Sequence, residues 1–156
     1  MAFTTFSGPI RAGTVKGGAD RNTGLVVLSQ SYDTGDLTGE EVGNVDSGAV
    51  MRLPRGAQIV DIVTDQVVAA GDGTTAVSVG NAAGGAQLAA AVTTTAGGRF
   101  RGTATAATQL AWQLEDETDV HVRVAVGTDT LTAGRAIVTV LYIQRAADGS
   151  QYPANA

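Results

Sequence analysis

Apolar positions in this chain fall in short runs, and the run that organises the rest is Leu53–Val68, LPRGAQIVDIVTDQVV. Pro54 and Gly56 break the chain, and a β-favouring stretch follows at once. Read with a period of two, Ile59, Val63 and Val67 take one face, and Val60, Ile62 and Val68 take the other. Both faces are apolar, whereas a strand of a sheet wetted on one side is apolar on one face only. The pattern predicts a central strand with cover on both sides. Gly24–Tyr32 begins the same way. In Arg135–Arg145, Ile137, Leu141 and Ile143 oppose Val138, Val140 and Tyr142. Val120–Val126 behaves differently: its valines point one way and His121, Arg123 and Ala125 the other.

The remaining elements are shorter. Val45–Leu53 and Thr74–Gly80 read as strands, with Gly71–Gly73 (GDG) as a hairpin turn before the latter. Gly98–Thr105 alternates, with Arg99 and Arg101 opposite Phe100. Asn81–Ala96 is Ala-rich and suits a short helix by propensity or a strand by continuity. Residues 1–23 show no sustained period and carry five punctuating Gly and Pro residues, so they read as an extended N-terminal arm. The chain therefore divides into an arm (1–23), a β-domain (24–146) and a loose polar tail (147–156). About eight strands with short turns predict an all-β fold, an antiparallel β-sandwich that is most simply jelly-roll-like. If the three double-faced strands share a sheet, its outer face is an apolar patch too large to leave exposed. This predicts a homo-oligomer, with Ile59, Val63, Val67, Val138, Val140 and Tyr142 at the subunit interface; three copies around an axis are favoured because sandwich domains often pack that way, although the pattern itself does not fix the number.

Composition narrows the chemistry. With 156 residues, the chain is the size of one domain and long enough to bury a core without staples. It has no Cys, which removes disulfides and thiolate metal sites, and one His, which removes sites built from several His ligands. Net charge −5 and pI about 4.6 argue against nucleic-acid binding as the main task. No apolar run reaches the roughly 20 residues that cross a bilayer. The first residues, MAFTTFSGPIRAG, do not read as a signal peptide, so the expectation is synthesis in a cytoplasm. The charge is uneven. Residues 1–32 hold Arg11, Lys16 and Arg21 against Asp20, whereas the rest holds seven basic and fourteen acidic residues. Two of the three Phe residues, Phe3 and Phe6, lie in this weakly basic arm. They fold back on their own domain, belong to a disordered tip, or anchor the arm on another subunit.

Each candidate for chemistry has a plainer reading beside it. Asp33, Asp36, Glu40 and Glu41 offer carboxylates to a hard cation, but not at the spacing of a known calcium loop, and a solvated loop is favoured. Arg99 and Arg101 suit an anion, but arginines on a strand more often form a solvated face or guard an edge. Glu115–Asp119 (EDETD) crowds four acids on a loop tip without a cleft. His121 lacks the second His or the Ser or Cys motif that would make it catalytic. Trp112 reads as core or interface. GGADRNTG lacks the ending of a phosphate-binding loop. No cofactor and no enzymatic activity are expected. The one enzymatic alternative, a trimeric jelly-roll hydrolase, lacks its phosphate loop and carboxylate set.

The segments MAFTTFSGPIRAGTVKGG, NTGLVVLSQS, LPRGAQIVDIVTDQVV and AGRAIVTVLYIQ together resemble the small capsid decoration proteins of tailed bacteriophages, also called cement or head-stabilisation proteins. The likeness is one of pattern over most of the chain, not of a diagnostic site. It implies a β-rich homotrimer on the outer capsid surface of a virion, clamping neighbouring major capsid proteins, with no catalytic residues. On that resemblance the arm is the capsid contact, through Phe3, Phe6, Arg11, Lys16 and Arg21. A fibre or tail-associated sandwich domain that binds host glycans is the structural alternative, and it needs Trp112 and Tyr142 exposed.

Overall fold

A computed structural model describes residues 27–71, 75–94, 96–101 and 111–144. The arm and tail, with Phe3, Phe6, Arg11, Lys16 and Arg21, lie outside the described residues. Eight strands follow in order: β1 (Val27–Asp33), β2 (Gly43–Leu53), β3 (Ala57–Gly71), β4 (Thr75–Gly80), β5 (Ala89–Thr93), β6 (Gly98–Arg101), β7 (Thr118–Val126) and β8 (Ala133–Gln144). They form two antiparallel sheets of four, ordered β1-β8-β3-β6 and β2-β7-β4-β5. Consecutive strands mostly alternate between the sheets, which is jelly-roll connectivity.

The sandwich forms because each sheet has one consistently apolar face. Val120, Val122, Val124 and Val126 of β7, with Val77 and Val79 of β4 and Leu53 and Met51 of β2, line one side of the core. Ala136, Val138, Val140 and Tyr142 of β8 and Ile59 and Ile62 of β3 line the other. Ile59 and Ile62 cannot share a face at a strict period of two. A register shift lets them: Ile59 sits opposite Tyr142, Asp61 opposite Leu141 and Ile62 opposite Val140, with Val60 as the extra residue. A second shift lies between Gln66 and Val68, leaving Val67 as the extra residue there.

These bulges correct the expected subunit interface. Ile59, Val138, Val140 and Tyr142 are buried in the chain's own core. No partner reaches them without opening the sandwich. Of the six residues, Val63 lies on the outer face of its sheet, opposite Thr139 and Arg101, and Val67 is the exposed bulge residue. The three double-faced strands do share a sheet, as β1, β8 and β3. Its outer face carries Ile137, Leu141 and Ile143 instead of Val138, Val140 and Tyr142.

The turns also differ from a local reading. GDG is not a hairpin, because β3 and β4 lie in different sheets; residues 72–74 themselves lie outside the description. Pro54–Gly56 makes the corner from β2 to β3, where the Ala57 amide donates to Pro54 O at 3.1 Å and Gly56 adopts φ 77°. That left-handed conformation is open to Gly at little cost. The Ala-rich stretch becomes β5, since pairing with β4 satisfies its backbone where a short helix would leave both ends open. At one side of the sandwich, β1 and β2 are bridged by Gln30. Its Nε2 donates to Arg52 O at 2.8 Å, and the Arg52 amide donates to its Oε1 at 3.2 Å. The carboxamide thus stands in for a neighbouring strand at that point of the edge of β2.

Candidate interaction surfaces

Two outer faces and one corner hold the residues with chemical potential. On the outer face of the β1-β8-β3-β6 sheet, Ile137, Leu141 and Ile143 run down β8, with Val27 of β1 and Val63 of β3 beside them. Ion pairs flank this stripe. Arg135 Nε donates to Asp33 Oδ1 at 3.0 Å, Arg99 Nη2 to Asp65 Oδ2 at 2.8 Å, and Arg101 Nε lies 3.2 Å from Asp61 Oδ2. The Arg135 hydrogen bond, helped by the Gly35 amide, holds Asp33 at about 2, below its ordinary 3.8. Arg99 likewise lowers Asp65. Arg99 and Arg101 therefore serve as cross-strand partners of β3 carboxylates, which answers the anion-site reading with a plainer one. Exposed pairs of this kind are worth little in stability, because solvent screens them.

On the outer face of the other sheet, the β4–β5 connection (residues 81–88) is tied down by β2 and β7. Asp46 accepts the Gly48 amide at 2.9 Å and also the Gly84 amide. These two bonds lower its carboxyl below the usual carboxylate range. Arg123 donates to Asn44 Oδ1 at 3.0 Å and to Gly84 O at 3.1 Å. His121 points outward, as its alternation requires, with Nδ1 3.6 Å from Asp46 Oδ1 and making no hydrogen bond. Ser47 Oγ donates to Val122 O at 2.7 Å and accepts the Val122 amide at 3.1 Å. That hydroxyl is occupied by backbone, so His121 has no poised nucleophile beside it. Leu88 is fully buried, and the Trp112 indole Nε1 donates to its carbonyl at 2.7 Å. Trp112 thus packs against the core, as a lone Trp among apolar residues predicts.

At the β2–β3 corner, Arg52 pairs with Glu117 and lies 3.5 Å from Asp119, and Arg55 Nε donates to Glu115 O at 3.0 Å. Two arginines thus latch the EDETD turn. In the 33–44 loop, Asp33 turns to Arg135, whereas Asp36 accepts the Thr38 amide at 2.9 Å and the Thr38 hydroxyl. Asp33 and Asp36 thus face different partners, and among the described residues no three His, Cys, Asp or Glu side chains converge as a metal site would require. No helix among them is long and apolar enough to cross a membrane. The His121–Asp46–Arg123 cluster and the Gln30 bridge left no mark in the local sequence pattern, because their partners lie far apart in the chain.

No protein-family model matches the chain, and no curated protein sequence matches it. Among solved structures it is similar to a chain in the capsid of Ralstonia phage GP4, with a TM-score of 0.55 and 24% identity, covering 78% of this chain and 86% of that one. It is also similar to a chain in the acidic stable capsid structure of Helicobacter pylori bacteriophage KHP30, with a TM-score of 0.50 and 17% identity, covering 78% of this chain and 95% of that one. At these identities the likeness is one of fold: the described jelly roll has the architecture of chains found in two phage capsids.

Proposed function

We propose that the chain is a structural virion protein that binds the outer surface of a phage capsid and stabilises it by clamping neighbouring major capsid proteins. The observation that carries this reading is the fold likeness, which spans most of both capsid chains as well as most of this one. The surfaces support it, since their charged side chains are tied to one another and to backbone, as a passive clamp requires. The clamp acts by mass action: a protein that binds only the assembled shell lowers the free energy of that shell. Joining copies, three on the pattern the resemblance implies, multiplies weak contacts through effective concentration. The basic arm with Phe3, Phe6, Arg11, Lys16 and Arg21 is the part assigned to the major capsid protein. The glycan reading has no support of its own, because Tyr142 is 7% exposed and the Trp112 indole is held by Leu88.

The test is co-sedimentation of the purified chain with heads of the virus that encodes it, stripped of the native copy. The full chain is expected to pellet with heads and raise their melting temperature. Deleting residues 1–22 is expected to abolish pelleting while leaving the melting of the free protein unchanged. Equal pelleting of the truncated chain removes the arm from the mechanism, and no pelleting of the full chain removes the clamp.

A further inference from the structure

On the outer face of the β1-β8-β3-β6 sheet, exposed valines gather where regular pairing would not place them. Each β3 bulge sets two residues against one on β8 and leaves extra apolar surface standing out. Val60 is 47% exposed, Val67 55% and Val68 43%, and Val27 on β1 adds 49%. Ile137 and Leu141 run half-buried between them. A sheet of four strands, with the twelve-residue β8 in its interior, measures roughly 20 by 40 Å, on the order of the 800 Å² per partner that a stable interface needs.

The charges on this face point to its partner. Asp33, Asp61 and Asp65 are matched by Arg135, Arg101 and Arg99. The other described charged residues are nine acids and three arginines. All the excess negative charge of the described body therefore lies elsewhere. Two copies of so acidic a body repel through their other surfaces but meet without charge cost here, and a rim of Asp–Arg pairs complements itself.

We propose that this face, with Val60, Val67 and Leu141 at its centre, is where one copy of the chain joins a second. The assignment rests on the oligomer in the functional reading above but not on the capsid. Light scattering of the full chain over a wide concentration range is expected to give a multiple of 15.7 kDa. The double substitution Val60→Asp/Val67→Asp is expected to give the monomer mass with unchanged circular dichroism. Val42→Asp, equally exposed but off this face, is expected to leave the mass alone. A wild-type monomer at every concentration overturns the proposal, as does a double variant that keeps its mass.

A second readout does not depend on how the Asp variant folds. The chain has no cysteine, so Val67→Cys and Val42→Cys each carry a unique thiol. Alkylation at position 67 is expected to be several-fold slower than at position 42, and equal rates overturn the assignment. An oligomer that ignores heads would sink the capsid reading and leave this one standing. A monomer that pellets with heads would do the reverse.

Discussion

Val60 and Val63 lie three positions apart in β3, and deleting either one yields a chain of identical composition. The bulge makes their consequences opposite. Without Val60, Ile59 stays opposite Tyr142, Asp61 opposite Leu141 and Ile62 opposite Val140, so the strand becomes regular with every side chain on its present face. Without Val63, β3 holds its register at both ends only by absorbing the bulge. Val60 then opposes Leu141, Asp61 opposes Val140 inside the core, and Ile62 opposes Thr139 outside it. Ile62 then takes over the buried place of Val63, so the chain buries one aliphatic side chain fewer, about 1.5–3 kcal/mol, whereas the deleted Val60 was 47% exposed. Asp61 leaves Arg101 for an apolar interior, which adds a penalty of roughly 2 kcal/mol or more even if it is protonated. The difference between the variants is thus about 4 kcal/mol, or roughly 10 °C in melting temperature for a chain of this length. Melting followed by circular dichroism, at a concentration where both variants have the same mass, measures it directly. Equal melting temperatures, or a less stable Val60 deletion, would refute the bulge as the device that sorts these faces.

Other consequences can be checked separately. Asp33 titrates at about 2 when folded against 3.8 unfolded, so as pH falls the unfolded chain takes up its proton first. The stabilisation is present above pH 4 and lost between about pH 4 and 2; Asp33→Asn should flatten this part of a melting-versus-pH curve. Asp46, lowered mainly by two backbone amides, should act in the same direction and resist 1 M salt better than a pair between side chains. Gln30→Leu removes both bonds to Arg52 and should cost about 1–3 kcal/mol in urea unfolding; no change would mean water replaces the bridge. Trp112→Phe keeps an aromatic ring but orphans the Leu88 carbonyl, and a loss of about 1–3 kcal/mol is expected in the same assay.

What the sequence revealed depended on how local the cause was. The faces of β7 were legible because four valines alternate without interruption between polar neighbours. The two faces of β8 were legible as apolar, but nothing within Arg135–Arg145 says which one turns inward; that is set by β1 and β3 on either side. In β3 the alternation failed at Val60 and Val67, because β-branched residues fit bulged and regular positions equally well by type. GDG announced a turn without announcing the sheet to which it leads. Among candidate sites, the outward direction of His121 and the opposition of Phe100 to the two arginines followed from alternation alone. Their partners, Asp46, Asp61 and Asp65, did not, since pairing joins residues 34 to 75 positions apart.

The position of β8 also constrains how the molecule comes into being. It is the last of the eight strands to be synthesised, yet it lies in the interior of its sheet, between β1 and β3. Val27 must wait for Ile143, more than a hundred residues later, before it has a partner. At ribosomal speeds of roughly 5–20 residues per second, β1 and β3 spend several seconds with unpaired edges. Closure of this sheet is therefore expected to wait for β8 and to be slow, as for other folds dominated by distant pairings. A chain halted before Ala133 would carry most of the strands and still lack the one that joins them into a sheet.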